Sequence, residues 1–286
     1  MSTQSTAPAP GSQTRTVAER LSAGEPYVLA FGGQATPWRA ALEGLVGLDG
    51  DLAGELVAVD RAVADLLAPV ATDLLTVTPR GARLLDDGAV PVAPAGAGGE
   101  GADVSVPGIL MAQHAVLACL PGAGVDVRAT APTSVIGHSQ GVLGVALLEA
   151  MARPGEEGRR AVIGVHALAR LIGAAAARAT RRLDLGPAGR ATPMLSVRGV
   201  TREVLDAVLE GVPGAERIAL GVTNGRRAHT LSGRPADLER VVTALEAAAA
   251  RSARARKERR RGGAVLAPVT EYLATSVPFH TPLLEG

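Results

Sequence analysis

The stretch Ser134-Val135-Ile136-Gly137-His138-Ser139-Gln140-Gly141 decides the fold, because it places a serine between two glycines where a strand meets a helix. Its first three residues predict the end of a buried strand, and residues 142–150 predict a helix. In this context a G-x-S-x-G sequence is typical of a sharp turn that exposes a nucleophilic serine. A side chain at Gly137 or Gly141 would crowd such a turn. The alternative is a chance match in a chain with 35 glycines.

Composition excludes several classes of protein. The chain has 286 residues, of which 47% are hydrophobic, so it predicts a large globular core. A net charge of +1 gives no electrostatic reason to expect nucleic acid as a partner. The single cysteine, Cys119, excludes a disulfide within the chain and is expected to be a small buried side chain. Residues 1–24 predict a flexible tail without a signal peptide, and no uninterrupted apolar run predicts a membrane span, so we expect a cytoplasmic protein.

The first half of the chain alternates strand and helix patterns. A short apolar run, 27–31, ends at Gly32-Gly33-Gln34 and predicts a buried strand, after which helical patterns follow from about Pro37 and over 51–77. A Gly/Pro/Ala-rich loop is predicted over 88–101, and a helix from Ser105 with Pro107 in its first turn. This alternation predicts an α/β core with a largely parallel sheet.

The second half has a different pattern, β-α-β-β-α-β, which is typical of a split ferredoxin-like lobe inserted into the core. Its hairpin is expected to turn at Asn224-Gly225. The long helix ends in a basic run, 251–261, which predicts either a solvated face or a docking patch for an acidic carrier protein or a CoA phosphate. The predicted elements are strands 194–198, 218–223, 228–231 and 269–277, with helices 202–209 and 235–256.

A serine nucleophile needs a base, and histidine is the usual one. His138 is adjacent to Ser139, and neighbouring side chains on a turn diverge, so it is poorly aimed. His114, His166 and His229 lie in helix or strand patterns and are expected to be structural or exposed. His280 lies in Val277-Pro278-Phe279-His280-Thr281-Pro282, where the chain returns to the core, and is placed to reach across a cleft.

These motifs together resemble the acyl-CoA:carrier-protein acyltransferases, and most closely the N-terminal acetyltransferase domain of actinobacterial and fungal type I fatty acid synthases. The resemblance implies an α/β-hydrolase-like parallel-sheet core over 25–191, a ferredoxin-like small subdomain over 192–276 and a return to the core over 277–286. The residues that carry it are Gly32-Gly33-Gln34, the Gly137–Gly141 turn, Val222-Thr223-Asn224-Gly225, Leu231-Ser232-Gly233, Pro278–Pro282 and, in support, 24–27, Ser105-Val106-Pro107-Gly108 and 261–263.

The resemblance also implies roles. Ser139 would be the nucleophile and His280 its base, while Gln34 and the backbone N–H of Gln140 would form the oxyanion hole. Acetyl-CoA would be the substrate and the phosphopantetheine thiol of an acyl carrier protein the acceptor, with other synthase domains as partners. Neither a permanently bound cofactor nor a metal is expected.

Acyl preference is inferred from one position. Relatives that accept malonyl groups resemble one another in an arginine whose place here is taken by Ile172, and an aliphatic side chain cannot pair with a carboxylate. Arg170 is two residues away on the same predicted helix and should point to the opposite side. The sequence therefore favours a short uncharged acyl group, most plausibly acetyl.

Two departures from the family pattern keep alternatives open. Ala35 follows Gln34 where many relatives have glycine, and the chain stops six residues after His280, before the segment that orients this histidine in relatives. We therefore expect a fragment of a longer polypeptide, weakly active or inactive alone. The alternative functions are a malonyl-CoA or other acyl-CoA transacylase, a serine thioesterase or hydrolase, and a noncatalytic scaffold domain.

Overall fold

The computed structural model of the chain describes residues 15–34, 36–70, 83–87, 101–183, 185, 191–259 and 266–285. Part of the predicted tail is helical: α1 spans Val17–Ser22. It forms because Thr16 and Glu19 make a reciprocal capping box, which satisfies free N–H groups at the start of the helix. Glu25 then pairs with Arg15 and Arg20. The rest of the predicted tail, 1–14, lies outside the described residues.

The large subdomain surrounds a short parallel sheet with helices, which confirms the predicted α/β class. β1 (Val28–Phe31) and β2 (Ser134–Gly137) pair in parallel, so the loop after β1 and the turn after β2 emerge at the same end of the sheet. Most of the predicted loop 88–101 lies outside the described residues. The helices are α2 (Arg39–Leu48), α3 (Gly50–Leu67), α4 (Ala102–Cys119), α5 (Val127–Thr130), α6 (Gly141–Ala152) and α7 (Gly155–Arg182).

The core of this subdomain lies between α4, α6 and α7. It is built from aliphatic side chains with Phe31 from β1. The prediction for α4 was wrong at its start: Gly101 adopts an extended conformation before the helix, which begins at Ala102, so that Pro107 lies inside it rather than in its first turn. By length and composition, α4 and α7 could each cross a membrane, but both pack in the protein core, where apolar helices are ordinary.

The small subdomain is an antiparallel sheet whose strands run in the order β4-β5-β3-β6. Its chain order is the predicted β-α-β-β-α-β, and two helices cover one face of the sheet over an aliphatic core. The elements are β3 (Met194–Arg198), α8 (Arg202–Leu209), β4 (Ala219–Gly225), β5 (Ala228–Ser232), α9 (Pro235–Arg259) and β6 (Val269–Tyr272).

Two predicted boundaries in this subdomain were wrong. The hairpin turns at residues 226–227, and Asn224 and Gly225 remain in β4, because register shifts around Val222 and Gly225 bulge the strand. β6 ends at Tyr272 instead of reaching residue 277. Beyond it the Thr275 hydroxyl accepts the N–H of Val277, and such local bonds replace strand pairing.

Candidate active site

The turn after β2 holds Ser139 in a conformation that few residues other than glycine adopt. Ser139 has φ of 54°, in the left-handed region. A Cβ placed on Gly137 would lie 2.5 Å from the backbone of Gly141, and one on Gly141 would lie 2.2 Å from the Phe31 carbonyl. Both contacts are far inside van der Waals distance. The turn therefore requires hydrogen at both positions, and it lifts Ser139 to the start of α6.

The structure brings His280 to this serine. Ser139 Oγ and His280 Nε2 lie 2.6 Å apart, at hydrogen-bond distance, although 141 residues separate them in sequence. Partial burial lowers the pKa of His280 below its ordinary value of 6.5, and the nearby His138 lowers it further when charged. The ring is therefore held in the neutral form that can accept the serine proton.

The segment that carries His280 is fixed by the small subdomain. His280 also has a positive φ, 58°. The Ser232 hydroxyl donates to the carbonyl of the preceding residue, Phe279, at 2.6 Å. Gly221 makes room for the loop, since a Cβ there would lie 3.0 Å from the Cβ of His280.

The backbone N–H of Gln140 is available beside the nucleophile. In the described part of the chain it donates to no backbone carbonyl, whereas the N–H groups of the next three residues are all bonded. Gly33 lies against it: a Cβ on Gly33 would stand 3.6 Å from the Gln140 nitrogen and 2.8 Å from the carbonyl of His138. An unpaired N–H at the start of a helix, next to a serine, can stabilise a developing oxyanion.

Gln34 reaches the same region through its side chain. Its Nε2 donates to the side-chain oxygen of Gln140, and its Oε1 accepts from the Ser105 hydroxyl at 3.2 Å. Gln140 Nε2 in turn donates to the carbonyl of Val106 at 2.6 Å. These bonds join the loop after β1, the turn after β2 and the first turns of α4. Sequence reasoning quoted Ser105 and Val106 only as part of the family resemblance and assigned them no role.

His138 points away from Ser139 and into the small subdomain. Its Nε2 lies 2.7 Å from Asn224 Oδ1, and Asn224 Nδ2 lies 3.3 Å from the Thr230 hydroxyl. Sequence reasoning gave no role to Asn224 or Ser232, although both lie in motifs that carry the resemblance. Their contacts join segments that are distant in sequence, so local patterns did not predict them.

Ile172 and Arg170 lie on opposite sides of α7. Ile172 is 40% exposed and lines a cleft of about 550 Å³ that also includes Phe279, the neighbour of His280. Arg170 is buried and lies 2.5 Å from Asp60, which also accepts the N–H groups of two residues in 83–87. Arg170 is therefore committed to Asp60 and does not share the Ile172 cleft.

The remaining histidines have structural partners. His114 Nδ1 and His166 Nε2 lie 3.1 Å apart in the core, and His229 Nε2 contacts the Val200 carbonyl. Within the described residues no group of three or more His, Cys, Asp or Glu side chains could hold a metal ion. The basic run predicted over 251–261 continues α9 as far as Arg259, and its last two residues lie outside the described part.

Comparison with known proteins relates this geometry to acyltransferases. Two solved structures share the fold: the malonyl CoA-acyl carrier protein transacylase of Coxiella burnetii and the acyltransferase domain from the second module of the salinomycin polyketide synthase. The Coxiella burnetii structure is 19% identical in sequence, with a TM-score of 0.50. The match covers 91% of this chain and 65% of the Coxiella burnetii chain. The salinomycin synthase domain is 19% identical in sequence, with a TM-score of 0.51. The match covers 95% of this chain and 55% of the synthase chain. The chain therefore has the acyltransferase fold, a parallel core with a small antiparallel subdomain.

Sequence comparison adds a relation to fatty acid synthases. Residues 193–272, essentially the small subdomain, match the family described as the fatty acid synthase central AT domain. The chain is also 36% identical over 101 residues to the fatty acid synthase beta subunit aflB of Emericella nidulans, a match that spans 34% of this chain and 5% of that subunit. The chain is thus an acyltransferase-fold domain related to a fungal fatty acid synthase beta subunit. The family description names a central domain, so an N-terminal position within a synthase stays a prediction.

Proposed function

We propose that this chain transfers an acyl group from a CoA thioester, through an ester on Ser139, to the phosphopantetheine thiol of an acyl carrier protein. The observation that carries the proposal is the 2.6 Å contact between Ser139 Oγ and His280 Nε2, beside the N–H of Gln140, which donates to no backbone carbonyl among the described residues. The relation to a fatty acid synthase subunit and the shared fold support the choice of acyl transfer among serine chemistries.

The geometry supports a two-step cycle. His280 Nε2 takes the Ser139 proton as Oγ attacks the thioester carbonyl, and the Gln140 N–H, assisted by Gln34, stabilises the oxyanion. Collapse of this intermediate expels the CoA thiolate, which takes the proton from His280. The carrier thiol then gives its proton to His280 and attacks the acyl-serine ester. Ser139 leaves and recovers its proton from the imidazolium, so the enzyme returns to its starting state.

We further propose that the transferred group is acetyl. The cleft that includes Phe279, the neighbour of His280, also presents Ile172, and Arg170 is paired with Asp60 on the other side of α7. A malonyl carboxylate brought beside Ile172 would lose water without gaining a cation from that position, which is costly. In this proposal the protein works in the cytoplasm beside other synthase domains, uses acyl-CoA and a carrier protein as substrates and needs no resident cofactor.

Radiolabelled acetyl-CoA tests the transfer reaction. The expected result is a stable acyl label that disappears in Ser139→Ala, remains in Ser134→Ala and moves to a carrier protein only when the carrier bears phosphopantetheine. Ser134 is a suitable control because it is an exposed serine on β2, at the other end of the strand that leads into the turn. CoA release with no trapped acyl group and no need for carrier would instead identify a hydrolase. Neither label nor release would identify a scaffold.

Acyl preference is tested by adding a cation at the cleft. Ile172→Arg should increase malonyl transfer relative to acetyl transfer, because a guanidinium can pair with the malonate carboxylate. Leu168→Arg is the matched control: Leu168 is exposed one helical turn away on α7 and does not line the cleft. An equal gain in both variants, or in neither, would contradict the proposed role of Ile172.

A further inference from the structure

The β4–β5 hairpin contacts the residue that immediately precedes each member of the dyad. On β4, Asn224 Oδ1 lies 2.7 Å from His138 Nε2, and because an amide oxygen only accepts, the ring nitrogen donates. On β5, the Ser232 hydroxyl donates to the carbonyl of Phe279 at 2.6 Å. His138 precedes Ser139 and Phe279 precedes His280, so one hairpin holds both sides of the candidate active site.

Both dyad residues need to be held in place. Ser139 and His280 have φ of 54° and 58°, a region that is unfavourable for a non-glycine residue and persists only where surrounding contacts impose it. In the described part of the chain, the other positive-φ residue that is not glycine is Ala131. The hairpin therefore binds the residue before each of the two strained positions, Ser139 and His280.

Both anchoring residues are held by further contacts within the small subdomain. Ser232 is fully buried, and β5 pairs with β3 on one side and β4 on the other. Asn224 is steadied by its second bond, from Nδ2 to the hydroxyl of the buried Thr230. Strand pairing on both sides therefore holds Ser232, whereas Asn224 lies in the bulge between Thr223 and Gly225 and is held by its side-chain bonds.

We propose that Asn224 and Ser232 are positioning residues that act as a pair, one holding the turn of Ser139 and the other the loop of His280. The inference rests on Ser139 and His280 forming the dyad of the proposed acyltransferase. Loss of either anchor leaves both reacting groups present but lets one strained segment relax away from the other. Misplacement by about 1 Å can cost about 100-fold in rate, so a small relaxation has a large effect.

The test measures how fast Ser139 reacts with a serine-directed phosphonofluoridate, a probe that needs the activated serine but neither CoA nor carrier. Asn224→Leu and Ser232→Ala should each slow this reaction by about 10- to 100-fold. Asn224→Asp, which keeps an acceptor, and Ser232→Thr, which keeps the hydroxyl, should restore most of the rate. Thr223→Ala on β4 and Ser196→Ala on β3 are matched controls that should react like the parent protein.

Acetyl transfer supplies the second readout. The anchor variants should lower kcat while KM for acetyl-CoA is unchanged, because substrate binding is not altered. Parent-like labelling in folded Asn224→Leu and Ser232→Ala would overturn the proposal, and so would equal loss in the conservative variants. Should the parent protein transfer no acyl group while its labelling still depends on both anchors, the proposed function fails and the positioning role stands. Asn224 is exposed, so its truncation leaves no buried gap.

Discussion

Ser139 Oγ lies 2.6 Å from His280 Nε2, and the two residues reach this distance from different parts of the fold. Ser139 follows β2 of the parallel sheet, whereas His280 follows β6 of the antiparallel sheet. The pair therefore forms only when both subdomains have folded and docked. Chemical reactivity of Ser139 reports on tertiary structure as well as on catalysis.

The rate of Ser139 acylation should depend on the protonation of His280. Burial first, and a charge on His138 second, lower the pKa of His280 below 6.5, and only the neutral ring accepts the serine proton. We expect the rate of CoA release in the first turnover to rise with pH through a midpoint below 6.5 and then to stay level. His138→Asn should move this midpoint towards 6.5, because it removes the charge, and should also lower the rate on the level part of the profile, because the ring that donates to Asn224 is lost. A parent midpoint at or above 6.5 would contradict the expectation.

Two glycines give a matched test of the turn. A Cβ at Gly141 would lie 2.2 Å from the Phe31 carbonyl, a backbone atom of β1 that cannot yield, whereas a Cβ at Gly164 on α7 meets nothing within 4 Å. Gly141→Ala should destabilise the protein by about 1–3 kcal/mol or more and slow phosphonofluoridate labelling of Ser139. Gly164→Ala should stabilise it by about 0.5–1 kcal/mol, since alanine loses less conformational entropy in a helix. Equilibrium unfolding in urea measures both, and similar effects of the two changes would refute the steric argument.

The buried pair of Asp60 and Arg170 should respond asymmetrically to substitution. Asp60→Leu leaves the guanidinium unpaired in the core and should cost about 3–5 kcal/mol of unfolding free energy. Arg170→Leu should cost less, because the carboxylate still accepts the N–H groups of Leu84 and Leu85. The double variant should lose less than the sum of the single variants. A urea double-mutant cycle measures this coupling, and a larger loss for Arg170→Leu than for Asp60→Leu would contradict it.

Local sequence patterns predicted the features that depend on the backbone of a few neighbouring residues. The glycines around Ser139 and the prolines around His280 constrain their own backbone, so both residues could be singled out before their distance was known. The contacts of Asn224 and Ser232 join segments that are distant in sequence, and Asn224 lies in a bulge that also displaced the expected turn from Asn224-Gly225. Pro107 was misplaced for a related reason: burial of α4 in the core outweighs the preference of proline for a first turn. The hairpin turn and the position of Pro107 in its helix both depend on tertiary packing, which a short stretch of sequence does not specify.

The buried His166 should make the stability of the protein pH-dependent. Burial first, and the neighbouring His114 second, lower the pKa of His166 well below 6.5. The unfolded chain therefore binds a proton that the folded protein refuses, so the free energy of unfolding is at its full value above about pH 6.5 and falls as the pH drops below it. The expected slope is up to about 1.4 kcal/mol per pH unit for this group. Urea unfolding at successive pH values measures this slope, and His166→Gln should remove the part that His166 contributes. His138→Asn, a change at an exposed histidine, should leave that part in place. An unchanged slope in His166→Gln would show that other groups set the acid sensitivity of the fold.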